Sequence, residues 1–77
     1  PMRNGASVAV IIPALNEEAA IPGVIARIPA WVDRIIVVDN GSTDATTRAA
    51  IDAGARVVHE PRRGYGRACL AGIRELE

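Results

Sequence analysis

Branched apolar residues are bunched in three short runs along the chain, Val8-Ala-Val-Ile-Ile12, Ile35-Ile-Val-Val38 and Val57-Val58. Runs this short and this rich in β-branched side chains predict strands apolar on both faces, as in a parallel sheet covered by helices. Between the runs the apolar period changes. Ile21, Val24, Ile25 and Ile28 recur at i, i+3, i+4 and i+7, one face of an amphipathic helix. Pro29 stops that helix, and Pro22 fits its first turn if it begins near Ala20. Residues 45–53 are rich in alanine, with Thr46, Ala49, Ala50 and Ala53 on one side and Gly54 as a natural C′ residue. Cys69, Leu70, Ile73 and Leu76 predict the apolar side of a last helix. The order is β-α-β-α-β-α. Short links between alternating strands and helices call for parallel strands and right-handed crossovers, stacked 3-2-1 as a three-layer, Rossmann-like α/β half-sheet.

Polar residues follow each run at the same edge of this sheet. Pro13, with no N–H for a ladder, is expected to end the first strand, and Asn16 to cap a helix that carries Glu17 and Glu18 in its first turn. The central run stops at Asp39 and passes into Asn40-Gly-Ser-Thr-Asp44, a loop with a glycine for the turn and several capping residues. The third passes through His59 into Glu60-Pro-Arg-Arg-Gly-Tyr-Gly66. Residues 1–6 are a polar lead-in without a period, and Trp31 is expected to lie as a packing lid over the sheet's opposite edge.

In open α/β sheets, ligands bind beyond the carboxyl ends of the strands. Carboxylates there can accept hydrogen bonds from a ribose or a base edge. Arginines 62, 63 and 67, beside glycines at a helix N-terminus, suit a diphosphate. Taken singly, Asn16, Ser42 and Asp44 are explained by helix capping and the arginines by solvation. Their convergence on one edge favours a nucleotide site.

Composition narrows the alternatives. Seventy-seven residues make one small domain near the lower limit for a self-sufficient core, and a 49% apolar content fits a folded chain. Nine basic and nine acidic residues cancel, so no net field recruits nucleic acid or an anionic membrane. All nine basic residues are arginine, which reads as genomic base composition. The lone Cys69 excludes a disulfide framework and reads as a buried structural thiol. His59 is the sole histidine, so a Ser-His-Asp triad would depend on it; a structural role is preferred. The first turn, Pro13-Ala-Leu-Asn16, contains no glycine, which rejects a dinucleotide fingerprint, and the absence of lysine rejects a P-loop. The spacing of Asp39, Asn40 and Gly41 does not fit an EF-hand. No apolar run can span a bilayer and no signal peptide precedes the first strand, so a cytoplasmic location is expected and the Asn40-Gly-Ser42 sequon is taken as coincidence. Pro1 ahead of Met2 reads as a remnant of tag cleavage, and Glu77 closes inside a helical pattern, as at a cut.

Val8-Ala-Val-Ile-Ile-Pro-Ala-Leu-Asn-Glu-Glu18, Val38-Asp-Asn-Gly-Ser-Thr-Asp44 and Gly64-Tyr-Gly-Arg-Ala68 with Gly72 resemble family 2 glycosyltransferases of the GT-A fold. The nearest group is the dolichyl- or polyprenyl-phosphate sugar transferases. The motifs stand in that family's order across nearly the whole chain. The resemblance implies a nucleotide-diphosphate sugar donor, with Pro13, Asn16 and Glu17 lining the nucleoside pocket and Asp39 on the base or ribose edge. It further implies that Gly41, Ser42 and Asp44 shape the loop beneath, with Gly64, Gly66 and Arg67 near the nucleotide. Asn40 departs from the second aspartate common in the family and removes a negative charge. No Asp-x-Asp occurs in the chain, so no catalytic base and no metal ligand is assigned. Mg2+ or Mn2+ is expected in a full-length enzyme, which the resemblance lets act at a membrane surface.

The chain is therefore expected to be a single truncated nucleotide-sugar-binding domain over residues 1–77, the N-terminal part of an inverting glycosyltransferase and inactive alone. The alternative is a small non-catalytic α/β domain acting in protein association. The first strand, Val8 to Ile12, has no charge, bulge or proline inside it and is expected to be an open edge, which predicts a homo-oligomer joined there.

Overall fold

A computed structural model of the chain describes residues 2–3 and 6–77, so Pro1, read above as a tag remnant, lies outside the described residues. Strands β1 (Met2–Arg3) and β2 (Ala6–Ser7) pair antiparallel, where the lack of a sequence period predicts an unstructured lead-in. The alternation of two-residue strands is too brief to register as a pattern.

The main sheet contains β3 (Ala9–Ala14), β4 (Arg34–Asp39) and β5 (Arg56–His59), all parallel in the spatial order β3-β4-β5. That is the 3-2-1 stack expected from the alternation. The register sets Ala14 beside Asp39 and Asp39 beside His59, so the three strands end level with one another.

Pro13 lies inside β3 rather than ending it. The Asp33 N–H donates to the Val8 carbonyl at 2.9 Å and the Asn40 N–H to the Ala14 carbonyl at 2.9 Å. By alternation, the even-numbered residues of β3 face β4 and the nitrogen of Pro13 faces the open edge, where its missing N–H costs no ladder bond.

Helix α1 (Ile21–Ala26) and α2 (Thr46–Asp52) cover one face of the sheet, and α3 (Tyr65–Glu75) covers the other. Ile21, Ile25, Ala50 and Ala55 pack with Ala14 and Val37 on the first face, joined by Ile12 and Ile35. Ile36, Val38 and Ala68 form the second core with Ile11, Val58, Ala71 and Leu76 around them. Ile36, Val37 and Val38 are essentially solvent-free, each burial stabilising by about 1.5–3 kcal/mol. The first strand is covered on both faces, through Ile12 on one and Ile11 on the other.

Four local expectations are corrected. Asn16 does not cap α1, whose N-cap is Ala20 without a side-chain bond; Glu17 and Glu18 precede the helix in a turn in which the Glu17 carbonyl accepts from Ile21 at 2.9 Å. Val24 falls off the buried stripe of α1. On α3, Ala68 and Gly72 face the sheet while Leu70 and Ile73 are about half exposed and Cys69 is only partly buried. The small pair wins because α3 lies so close to β3 that a Cβ on Gly72 would stand 2.5 Å from Ile11 Cγ2. Trp31 is 41% exposed.

Candidate nucleotide site

The carboxyl ends of the strands carry a laced set of loops. Asp39, 4% exposed, closes β4 with both carboxylate oxygens engaged. Its Oδ1 accepts from the Ser42 N–H at 2.8 Å, and its Oδ2 accepts from the Thr47 hydroxyl at 2.5 Å. The turn from Asp39 to Ser42 passes through Gly41 at φ 98°, a left-handed conformation that side chains resist. Burial pushes the Asp39 carboxyl up, but the bonds from Thr47 and Ser42 and the proximity of His59 outweigh it. Its pKa therefore lies below the ordinary carboxylate value, and Asp39 is ionised at neutral pH.

Side chains of the β4–α2 loop also hold the β3–α1 loop. The N–H groups of Asn16, Glu17 and Glu18 donate to Ser42 Oγ, Thr46 Oγ1 and Asp44 Oδ2 at 2.9, 2.8 and 3.3 Å. Asn16 adopts φ 52° and returns its Oδ1 to the Thr43 N–H at 2.8 Å. Asp44 Oδ1 accepts from the N–H and the hydroxyl of Thr46. The Thr46 hydroxyl lowers the Asp44 carboxyl below its usual range, against the effect of burial.

Asn40 performs a task its residue type does not announce. Its Nδ2 donates to the carbonyls of Glu60 and Arg62, each at 2.7 Å, and its Oδ1 accepts from the Gly64 N–H at 3.2 Å. This ties the β5–α3 loop to the end of β4, and the three partners fix which way the amide points. Glu60 turns back on Arg62, whose guanidinium holds the Glu60 carboxyl down to about 2. Arg62 is thereby committed to an ion pair rather than left for a phosphate.

An open cleft of about 290 Å³ lies over this end of the sheet, lined by Asp39, Gly41, Ser42, Asp44, Thr47, His59 and Pro61. It gathers four residues expected from the sequence and adds Thr47, His59 and Pro61. His59 is thus a cleft residue, where a structural role was preferred. Arg63 borders the cleft, its Nε 3.7 Å from where a Cβ on Gly41 would sit. Pro13 and Glu17 line a smaller depression beside α1, and Pro13 lines another with Asn40 and Tyr65. Gly64, Gly66 and Arg67 are exposed at the start of α3 and do not line the main cleft. The sequence does not announce Thr47 and His59 because their contact depends on the Asp39–His59 register, nor the role of Asn40 because its bonds span twenty or more residues.

No group of three or more metal-ligating side chains occurs among the described residues. The oxygens of Asp39 and Asp44 already accept from the chain itself, so this donor set does not fit a divalent cation. No helix of the described residues is long and apolar enough to cross a membrane.

Three parallel strands between helices, with a carboxylate at the end of the central one, make a Rossmann-like α/β unit of the GT-A glycosyltransferase type. Residues 9–76 match the family described as Glycosyl transferase family 2, and the chain belongs to that family. It is 54% identical over 69 residues to an uncharacterized glycosyltransferase of Mycobacterium tuberculosis, covering 90% of this chain and 31% of the relative. It is 52% identical over 58 residues to glucosyl-3-phosphoglycerate synthase of the same species, covering 70% of this chain and 18% of that enzyme. The crystal structure of that synthase with uridine diphosphate superposes with a TM-score of 0.78 at 40% identity, over 90% of this chain and 29% of the other. Another, holding Mn2+, UDP-glucose and phosphoglyceric acid, gives a TM-score of 0.77. The chain spans less than a third of the length of these relatives.

Proposed function

We propose that this chain is the nucleotide-binding portion of an inverting glycosyltransferase that transfers a sugar from a nucleotide-diphosphate sugar. The observation that carries the reading is Asp39: a buried carboxylate, kept ionised, at the carboxyl end of the central strand and on the wall of a cleft. Such a group accepts from the N–H of a base or the hydroxyls of a ribose. Ser42 and Asp44 complete that wall, while Asn16 and Glu17 brace it from the neighbouring loop. Pro13 borders the depressions beside it, and Gly64, Gly66 and Arg67 flank the far side, where a diphosphate would extend.

Residues 1–77 act as one truncated nucleotide-sugar-binding domain. A divalent cation, Mg2+ or Mn2+, serves the full-length enzyme, as Mn2+ accompanies UDP-glucose in the relative; no ligand group for it occurs among the described residues, and neither its ligands nor the base that activates the acceptor is assigned to this stretch. The acceptor carries a phosphate. That feature is common to the polyprenyl phosphates suggested by the resemblance of the three motifs together and to the phosphoglyceric acid in the relative's complex. A cytoplasmic site of action, at a membrane surface where the acceptor is a lipid, accompanies this reading.

Isothermal titration of the chain with uridine and guanosine diphosphates tests it. Millimolar or tighter binding of one of them is expected, with no sugar transfer, and Asp39→Asn should abolish it while circular dichroism shows the fold intact. No binding of either nucleotide would refute the reading.

A further inference from the structure

We propose that His59 is a nucleoside-binding residue of the cleft, presenting Nδ1 as a hydrogen-bond acceptor because Asp39, acting through Thr47, holds its ring in the Nε2–H tautomer. The inference rests on the nucleotide reading above and goes beyond it by adding a second acceptor.

The direction of one hydrogen-bond chain carries it. Thr47 Oγ1 lies 2.5 Å from Asp39 Oδ2 and 3.1 Å from His59 Nε2. An ionised carboxylate only accepts, so the Thr47 proton is directed at Asp39. The same hydroxyl oxygen then meets His59 with a lone pair, and Nε2 must bring the proton. In a neutral imidazole this leaves Nδ1 without hydrogen, as the ring's acceptor. His59 stands beside Asp39 in the β4–β5 register and lines the same cleft. A nucleoside in that cleft would meet two acceptors, the Asp39 carboxylate and Nδ1. Thr47 is the positioning residue between them.

Nitrogen-15 spectra of the histidine ring and uridine diphosphate titrations, both at pH 8, test the assignment. The free protein should show a protonated Nε2 and a bare Nδ1 at pH 8; Thr47→Val should give mixed tautomers and Thr47→Ser should restore the single one. Glutamine keeps a donor near the Nε2 position but lacks Nδ1. His59→Gln should therefore bind uridine diphosphate about five- to tenfold more weakly at pH 8, the size of one lost hydrogen bond. A ring protonated on Nδ1 at pH 8, or equal affinities of the two proteins for uridine diphosphate, overturns the proposal. Binding that Asp39→Asn abolishes and His59→Gln leaves unchanged defeats this inference alone. Absence of binding by the native protein defeats the nucleotide reading and this one together.

Discussion

The side-chain amide of Asn40 holds the loop after β5 through the main chain of Arg62, with Nδ2 2.7 Å from that carbonyl oxygen. The other hydrogen on Nδ2 goes to the carbonyl of Glu60. An aspartate, the commoner residue at this point of the motif, has the same shape but no hydrogens to donate. Asn40→Asp would keep the Gly64 bond, break both carbonyl bonds and set a carboxylate against two carbonyl oxygens. A loss of about 2 kcal/mol is expected, since each unsatisfied buried polar group costs about 1–3 kcal/mol. Urea denaturation measures it, and amide exchange should localise the loosening to residues 60–64.

Gly72 tests how closely α3 approaches the sheet. Gly72→Ala places a methyl 2.5 Å from Ile11 Cγ2, a contact that forces Ile11 or α3 to shift, and should cost about 1–3 kcal/mol despite alanine's better helix propensity. Ile11→Ala removes the opposing methyl. The double variant should be less destabilised than the sum of the two singles by about 1 kcal/mol, read from a thermal-unfolding cycle.

Acid should weaken the loops. Glu60 is lowered from 4.5 to about 2 in the folded chain, and Asp39 is lowered as well. Groups depressed in this way stabilise the fold above their unfolded pKa and lose that contribution as pH falls through the folded one. The melting temperature should therefore decline between about pH 5 and pH 2. Glu60→Gln should melt lower than the native chain at pH 7 and show a shallower acid limb.

The open edge of β3 offers the N–H groups of Ala9 and Ile11, while Pro13 offers none. A second copy pairing there is the expected partner, a reading the edge shares with the initial sequence pattern. Ala9→Pro would remove an edge donor without breaking a bond to β4. Light scattering at micromolar concentration should show the native chain as a dimer or larger and the variant shifted towards monomer, with little change in melting temperature. A native monomer would refute edge pairing.

What could be read in advance and what could not divide along sequence distance. Ile35 to Val38 announce a central strand by themselves, and the alternation around them settles the parallel order. Asp39 was visible as a polar residue ending an apolar run. Asn16 was not read correctly, because a capping residue before a helix and a left-handed residue bonded to Thr43 look alike in the chain. The buried side of α3 was hidden for a related reason. Hydrophobic periodicity favours Leu70 and Ile73, but a close helix–sheet approach selects Ala68 and Gly72, and closeness is not encoded in hydropathy. His59 and Thr47 became site residues only once the strand register had been set.

α3 lies on the face opposite α1 and α2, and that position governs where a further strand can go. A right-handed crossover leaving β5 along this face must travel back across the sheet, past β4, to reach the free side of β3. The chain would then reverse its direction of growth between β3 and the newcomer, opening a crevice above Pro13 and Leu15. A fourth parallel strand and a second copy of the chain would compete for one row of hydrogen-bonding groups. Whichever occupies it first excludes the other, so self-association through β3 and continuation of the sheet are mutually exclusive states of the same edge.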